Sequence, residues 1–219
     1  MQNRPRIFIN QDIEQGIKVI ADKNIAHYLR HVMRTSECLV FNNGIEYDAV
    51  LSDDDKFIVV GDKTDHEDPS NDLTFCFAPI KKTDEMLNMV TQMGVAKLQP
   101  VITERTVAHH INWERMQKII VEASEQSGRN SVPKLLPPIK FADLDFNNLV
   151  VADERAGHGK EVSNKIESIK KILIGPEGGF SPNEFGIMDN ARVPGLSLGK
   201  TILRAEVAAV VAVSKALDK

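Results

Sequence analysis

From residue 73 onward, short apolar runs alternate with stretches of helical periodicity, a pattern that few architectures can accommodate. The runs 73–79 (LTFCFAP), 98–102 (LQPVI), 149–152 (LVVA) and 169–174 (IKKILI) read as buried strands. Residues 84–93, closed by Gly94, and residues 113–127 and 206–217 read as helices. Strands joined by helices pair in parallel. The fold class is therefore α/β, with a helix-covered parallel sheet whose ligands belong outside the carboxyl ends of its strands.

Residues 1–70 follow another pattern. Strands are expected at 6–10 (RIFIN), 38–41 (CLVF), 45–51 (IEYDAVL) and 57–60 (FIVV), with turns at Asn42-Asn43-Gly44 and Asp53-Asp54-Asp55 and one helix over 25–33. This reads as a small β-barrel. The polar stretch 62–72 (DKTDHEDPSND) has no apolar periodicity and marks a linker, which divides the chain into domains 1–70 and 71–219.

Composition excludes some classes. No apolar run is long enough to span a membrane, and MQNRPR lacks the apolar core of a secretory signal, so a cytoplasmic protein is expected. Cys38 and Cys76 have neither CxxC spacing nor nearby paired histidines and read as buried apolar residues. His109 and His110 read as surface residues, so no metal is expected. A net charge of -4 argues against holding nucleic acid by bulk charge, although Arg4, Arg6, Arg30, His31 and Arg34 concentrate positive charge near the start.

Two segments carry the chemistry. In 174–184 (IGPEGGFSPNE) glycines directly follow a buried strand, where they permit positive φ and close approach of a ligand. Ser181, Pro182 and Glu184 then have the spacing of an N-cap, an N1 proline and a capping box. This loop is not followed by Gly-Lys-Ser/Thr and does not have GxGxxG spacing, which disfavours a phosphate cradle there. On these residues alone, a tight strand-to-helix turn and a ligand loop stand equally open. In 196–209 (LSLGKTILRAEVAA) an apolar stretch runs through Gly199 to Arg204 and Glu206, at the head of a helix whose Ala205, Ala208, Ala209 and Ala212 allow close packing. A buried final helix with a solvated arginine is the plainer account. Two glycine-bearing loops at consecutive strand ends favour a shared pocket.

GPEGGFSPNE and SLGKTILRAEVA, with 120–133 (IVEASEQSGRNSVP) upstream, resemble the bacterial 16S rRNA uridine-N3 methyltransferases of the knotted SPOUT superfamily. Near the start, RIFIN, 27–34 (HYLRHVMR) and 43–49 (NGIEYDA) resemble that family's RNA-binding barrel of the PUA type. The resemblance implies a C-terminal trefoil-knotted parallel sheet preceded by a PUA-like barrel, with S-adenosylmethionine (AdoMet) held largely by main-chain groups of three loops. Carried over, these are Ala152, Asp153 and Glu154; Ile174, Gly175, Glu177, Gly178 and Gly179; and Leu198, Gly199 and Leu203. It further implies that Arg204 orients the uridine or its phosphate and that Glu206 hydrogen-bonds the base or an adjacent chain. Arg4, Arg6, Arg30, Arg34 and Arg129 are expected to contact RNA, either 16S rRNA or the assembled small subunit.

Glu122, Glu125, Gln126 and Arg129 fall near one helix face, where an RNA contact and an ion-pair network are equally open. Ala205 and Val207 stand where the family commonly has Thr, and the helix 84–93 lacks the Lys and Glu expected before Gly94. The final helix carries more apolar surface (Val207, Ala208, Val210, Val211, with Ser214) than one core-facing side needs, which together with the family implies a homodimer. Gly178→Val is expected to abolish AdoMet binding by blocking positive φ and ligand approach. The competing readings are an RNA-binding module without catalysis and a SPOUT enzyme acting on transfer RNA or a ribose 2′-hydroxyl.

Overall fold

The computed structural model describes residues 4–107, 112–155, 162, 163, 166 and 169–217. They form two compact units, Met1–Ser70 with Val121–Val132, and Asn71–Ile120 with Pro133–Lys219.

The first unit is a curled sheet in the order β1-β3-β4-β5-β2, comprising β1 (Arg6–Phe8), β2 (Lys18–Ile20), β3 (Glu37–Asn42), β4 (Ile45–Leu51) and β5 (Phe57–Lys63). All pairings are antiparallel except β1 with β3. Asn43 and Gly44 both take positive φ (49° and 80°), the two-residue turn whose twist matches a right-handed hairpin, and this sets the β3–β4 register of Asn42 opposite Ile45. The inner face buries Ile7, Val19, Leu29, Cys38, Val40, Leu51 and Ile58. The expected helix over 25–33 is α1 (Lys23–His27), capped by the Asp22 carboxylate, which accepts the Asn24 and Ile25 N–H groups, followed by a π-helical stretch over Tyr28–Met33. The segment 121–132 belongs to this unit through its hydrogen bonds. The Glu125 carboxylate accepts the Phe8 N–H at 2.9 Å, and Asn130 donates its N–H to Asp68 and its side-chain amide to the His66 carbonyl.

The second unit is a parallel sheet in the order β12-β10-β11-β6-β7-β8, with β9 pairing further along β7. Its strands are β6 (Thr74–Phe77), β7 (Lys97–Ile102), β8 (Lys134–Leu135), β9 (Ile139–Lys140), β10 (Leu149–Ala152), β11 (Lys171–Ile174) and β12 (Gly195–Leu196). Its helices are α2 (Thr83–Gln92), α3 (Trp113–Gln126, of which 121–126 belong to the first unit), α4 (Pro182–Asn190) and α5 (Ala205–Leu217). Strands covered on both faces must be apolar throughout, and β6, β10 and β11 are accordingly buried at Phe75-Cys76-Phe77, Leu149-Val150-Val151 and Ile172-Leu173-Ile174. Alanines on α5 let it lie close against α2 and β11, with Ala209, Ala212 and Val213 buried. Among the described residues no helix is long and apolar enough to cross a membrane.

Candidate cofactor-binding site

Four neighbouring strands, β12, β10, β11 and β6, end at one edge of the sheet, and the loops leaving their carboxyl ends enclose a cavity of about 490 Å³. Parallel pairing brings this about: every strand points the same way, so segments far apart in sequence deliver their following loops to one rim.

The loop after β10 contributes Ala152, Asp153 and Glu154. The Asp153 side chain, 1% exposed, accepts two hydrogen bonds from the Arg155 guanidinium at 2.9 and 2.8 Å, and Arg155 also binds Asp189 while lying 3.9 Å above the Phe185 ring. Its hydrogen bonds to Asp153 and then to Asp189 hold the Arg155 pKa above its already high range. A buried carboxylate is thereby neutralised and the loop pinned to α4.

The loop after β11 contributes Ile174, Gly175, Pro176, Glu177 and Phe180. A side chain at Gly175 would meet the Phe180 ring at 2.9 Å, so glycine is what lets this buried ring pack beneath the loop. The capping box is complete: the Ser181 hydroxyl accepts the Glu184 N–H at 3.1 Å, and the Glu184 carboxylate accepts the Ser181 N–H at 2.8 Å. Gly178 and Gly179 do not line the cavity. Positive φ falls on Gly179 (67°) and not on Gly178, whose carbonyl accepts a hydrogen bond from Arg105 at 2.8 Å. The premise that Gly178 needs a left-handed backbone is therefore corrected: the tight position is its neighbour, packed against the Glu154 carboxylate.

The stretch after β12 contributes Leu198, Gly199 (φ 130°), Leu203, Arg204 and Glu206. Arg204 is exposed, whereas Glu206, in the first turn of α5, is buried.

The loop between β6 and α2 adds Lys81 and Lys82, which sequence reading missed. The Lys81 N–H donates to Glu177 at 2.9 Å, and the Lys82 ammonium lies 3.0 Å from Glu85 and 3.6 Å from Glu206. Its hydrogen bond to Glu85 raises the Lys82 pKa. The available signal was position, since the two lysines stand one residue past the apolar run 73–79, beyond the end of a parallel strand. Among the described residues no three His, Cys, Asp or Glu side chains gather as a metal-ligand group; His109 and His110 lie outside those residues.

A model of the RNA methyltransferase domain matches residues 66–217. The chain belongs to this RNA methyltransferase family. Among family members, ribosomal RNA small subunit methyltransferase E of Rickettsia conorii is 32% identical, over 96% of this chain and 93% of its own. The crystal structure of ribosomal RNA small subunit methyltransferase E from Neisseria gonorrhoeae, bound to S-adenosyl methionine, superposes with a TM-score of 0.84 at 25% identity, covering 97% of this chain and 96% of that one. A probable rRNA-methyltransferase from Porphyromonas gingivalis gives 0.79 at 26%, over 96% and 95%.

For an RNA methyltransferase, the arginines of the first unit matter, and they are not equally free. Arg6 is half-buried: it pairs with the buried Glu46, donates to the Arg129 carbonyl and the Asn130 side chain at 2.7 Å, and lies over Phe41. Burial lowers its pKa and that of Arg129. These contacts tie the Arg6 guanidinium to Glu46 and to the segment 129–130 of the same unit. Arg129, half-buried, donates to the Ser131 hydroxyl. Arg4 is partly exposed and bound to Asp48, Arg30 is bound to Asp55 and the Ser52 carbonyl, and Arg34 is exposed at the left-handed residue that ends the π-helical stretch. Glu122 and Gln126 face solvent, while Glu125 is half-buried.

Proposed function

We propose that this chain transfers a methyl group from AdoMet to N3 of a uridine in 16S ribosomal RNA, as free rRNA or in the assembled small subunit. The observation that carries the reading is the cavity itself, built by loops of four adjacent parallel strands in a chain that matches an AdoMet-bound relative over nearly its whole length. The residues suit that cofactor. About 490 Å³ is within the range of small-molecule sites, roughly 300–1,000 Å³. Gly175 and Gly199 leave main-chain groups open to close approach by a neutral adenine, and Glu154 adds a carboxylate to the wall beside them. When bound, AdoMet supplies a methyl group on a cationic sulfur, reactive toward a nitrogen lone pair.

In this reading the lining groups of the three loops hold the cofactor, with Gly178 and Gly179 shaping the second loop from behind. Arg204, exposed at the cavity, orients the uridine or its phosphate, and Glu206 hydrogen-bonds the base. The first unit acts as a PUA-like module that holds rRNA, with Arg4, Arg30 and Arg34 as its accessible cations. The second unit is a trefoil knot; in support, β12 lies beside β10 on the side away from β11, and α5 then returns to pack on β11. The enzyme works in the cytoplasm as a homodimer through α5, where Val207 is 44% exposed on an otherwise apolar helix. No metal is expected to take part in transfer.

The test is nucleoside mass spectrometry of 16S rRNA from a strain lacking the gene, before and after incubation of its small subunits with purified protein and AdoMet. The reading requires N3-methyluridine to be absent and then restored. A modified ribose, a transfer-RNA product, or RNA binding without transfer would overturn it.

A further inference from the structure

Lys82 belongs to none of the motifs, yet it bridges two helix starts. Its ammonium lies 3.0 Å from Glu85, in the first turn of α2, and 3.6 Å from Glu206, in the first turn of α5. The two carboxylates differ in their surroundings. Glu85 has 61% of its side chain exposed, whereas Glu206 has 10% exposed and lines the cavity. A carboxylate withdrawn from water is costly unless paired, and among the described residues Lys82 is the one ion-pair partner of Glu206. Among the described residues no side-chain hydrogen bond occupies the Glu206 oxygens, and the N–H groups at the start of α5 favour negative charge there.

Methylation at N3 has a requirement that Arg204 cannot meet. Uracil N3 carries a proton, and a permanently protonated guanidinium does not accept one. We infer that Glu206 is the proton acceptor of the reaction and that Lys82 is the positioning residue that holds its carboxylate at the cavity. This rests on the uridine-N3 reading above. The N3–H bond breaks and its proton passes to a Glu206 oxygen. The N3 electron pair forms the bond to the methyl carbon as the carbon–sulfur bond breaks, leaving its pair on sulfur. Glu206 then releases the proton to water. The side chains come from two different elements, the residue before α2 and the first turn of α5, so the pair exists only when the cavity is assembled.

The test compares wild type, E206Q, K82M and K82R. Single-turnover methyl transfer to small subunits from the gene-deleted strain is followed across neutral pH, together with calorimetric AdoMet affinity and melting temperature. E206Q is expected to slow transfer at neutral pH by about 10²–10⁴-fold, the usual contribution of a positioned base, and to leave a rate that climbs with hydroxide where the wild type levels off. K82M should slow transfer at neutral pH, with K82R restoring it, because the ammonium 3.6 Å away no longer holds the Glu206 carboxylate at the cavity. AdoMet affinity should be unchanged throughout. A wild-type pH profile in E206Q, or losses in E206Q and K82M that match falls in AdoMet affinity, would overturn the inference. Should E206Q fail to fold, a K82M profile superposable on wild type would do so. If wild type leaves N3 unmethylated, the functional reading itself fails; if it methylates N3 and only the variants behave otherwise, this inference fails alone.

Discussion

Replacing Gly179 with alanine probes how the second loop is held. Gly179 has φ 67°, and a Cβ there would overlap the Glu154 carboxylate, with Cδ at 2.8 Å and Oε2 at 2.9 Å. A left-handed backbone costs a non-glycine residue about 1–2 kcal/mol, which for a chain of this size lowers the melting temperature by about 2–8 °C. The overlap falls on the end of a side chain that can rotate, so it displaces Glu154 from the cavity wall and leaves the loop intact. Losing a charge-assisted contact of about 1.5–3 kcal/mol weakens AdoMet roughly ten- to a hundredfold. Calorimetric titration and scanning calorimetry measure the two effects separately. In a double-mutant cycle, E154A/G179A should bind AdoMet as E154A does, because the group that the new methyl displaces is already gone. Gly178→Ala is the internal control: its Cβ would meet Arg105 at an ordinary 3.7 Å without positive φ, so both readouts should stay near wild type. Wild-type melting and affinity in G179A, or a larger loss in G178A, would refute this account of the loop.

Three further outcomes follow from the packing. Arg155→Met removes the two guanidinium hydrogen bonds from the buried Asp153, and with the arginine itself part-exposed the loss should be about 2–3 kcal/mol, below that of a fully buried pair, as read by denaturant unfolding. Burial raises the Glu125 pKa above 4.5, outweighing the Phe8 N–H that lowers it, so the folded state binds the extra proton and stability falls as pH rises through that window. Gln at 125 keeps the acceptor without the charge; melting curves from acid to neutral pH should show E125Q flatter and more stable at neutral pH. Burial pushes both the Cys38 and Cys76 thiols up to about 12, so neither should be alkylated by iodoacetamide in the folded protein at mildly alkaline pH, as mass spectrometry would report.

Local features were legible early because neighbouring residues decide them. The capping box of Ser181 and Glu184 and the Asn43-Gly44 hairpin form where their spacing places them. The buried runs that became β6, β7, β10 and β11 stood out for the same reason. β8, β9 and β12 escaped because two residues carry no period, and β2 because its three residues bury only Val19. The ion pair of Arg6 was not legible in the same way: only strand pairing brings the buried Glu46 to where it can hold Arg6.

Sequence by itself determined the α/β alternation, the separation of an N-terminal β unit, and the two glycine-bearing stretches that border the cavity, since periodicity and turn chemistry act over a few residues. Tertiary structure alone decided strand order and therefore which loops meet. β12 pairs with β10 and β11 with β6, so residues of four separate segments share one rim, and Lys82 comes within reach of Glu206. The physical reason is that strand pairing and burial are settled by packing between segments distant along the chain, and no local pattern records which of them will become neighbours.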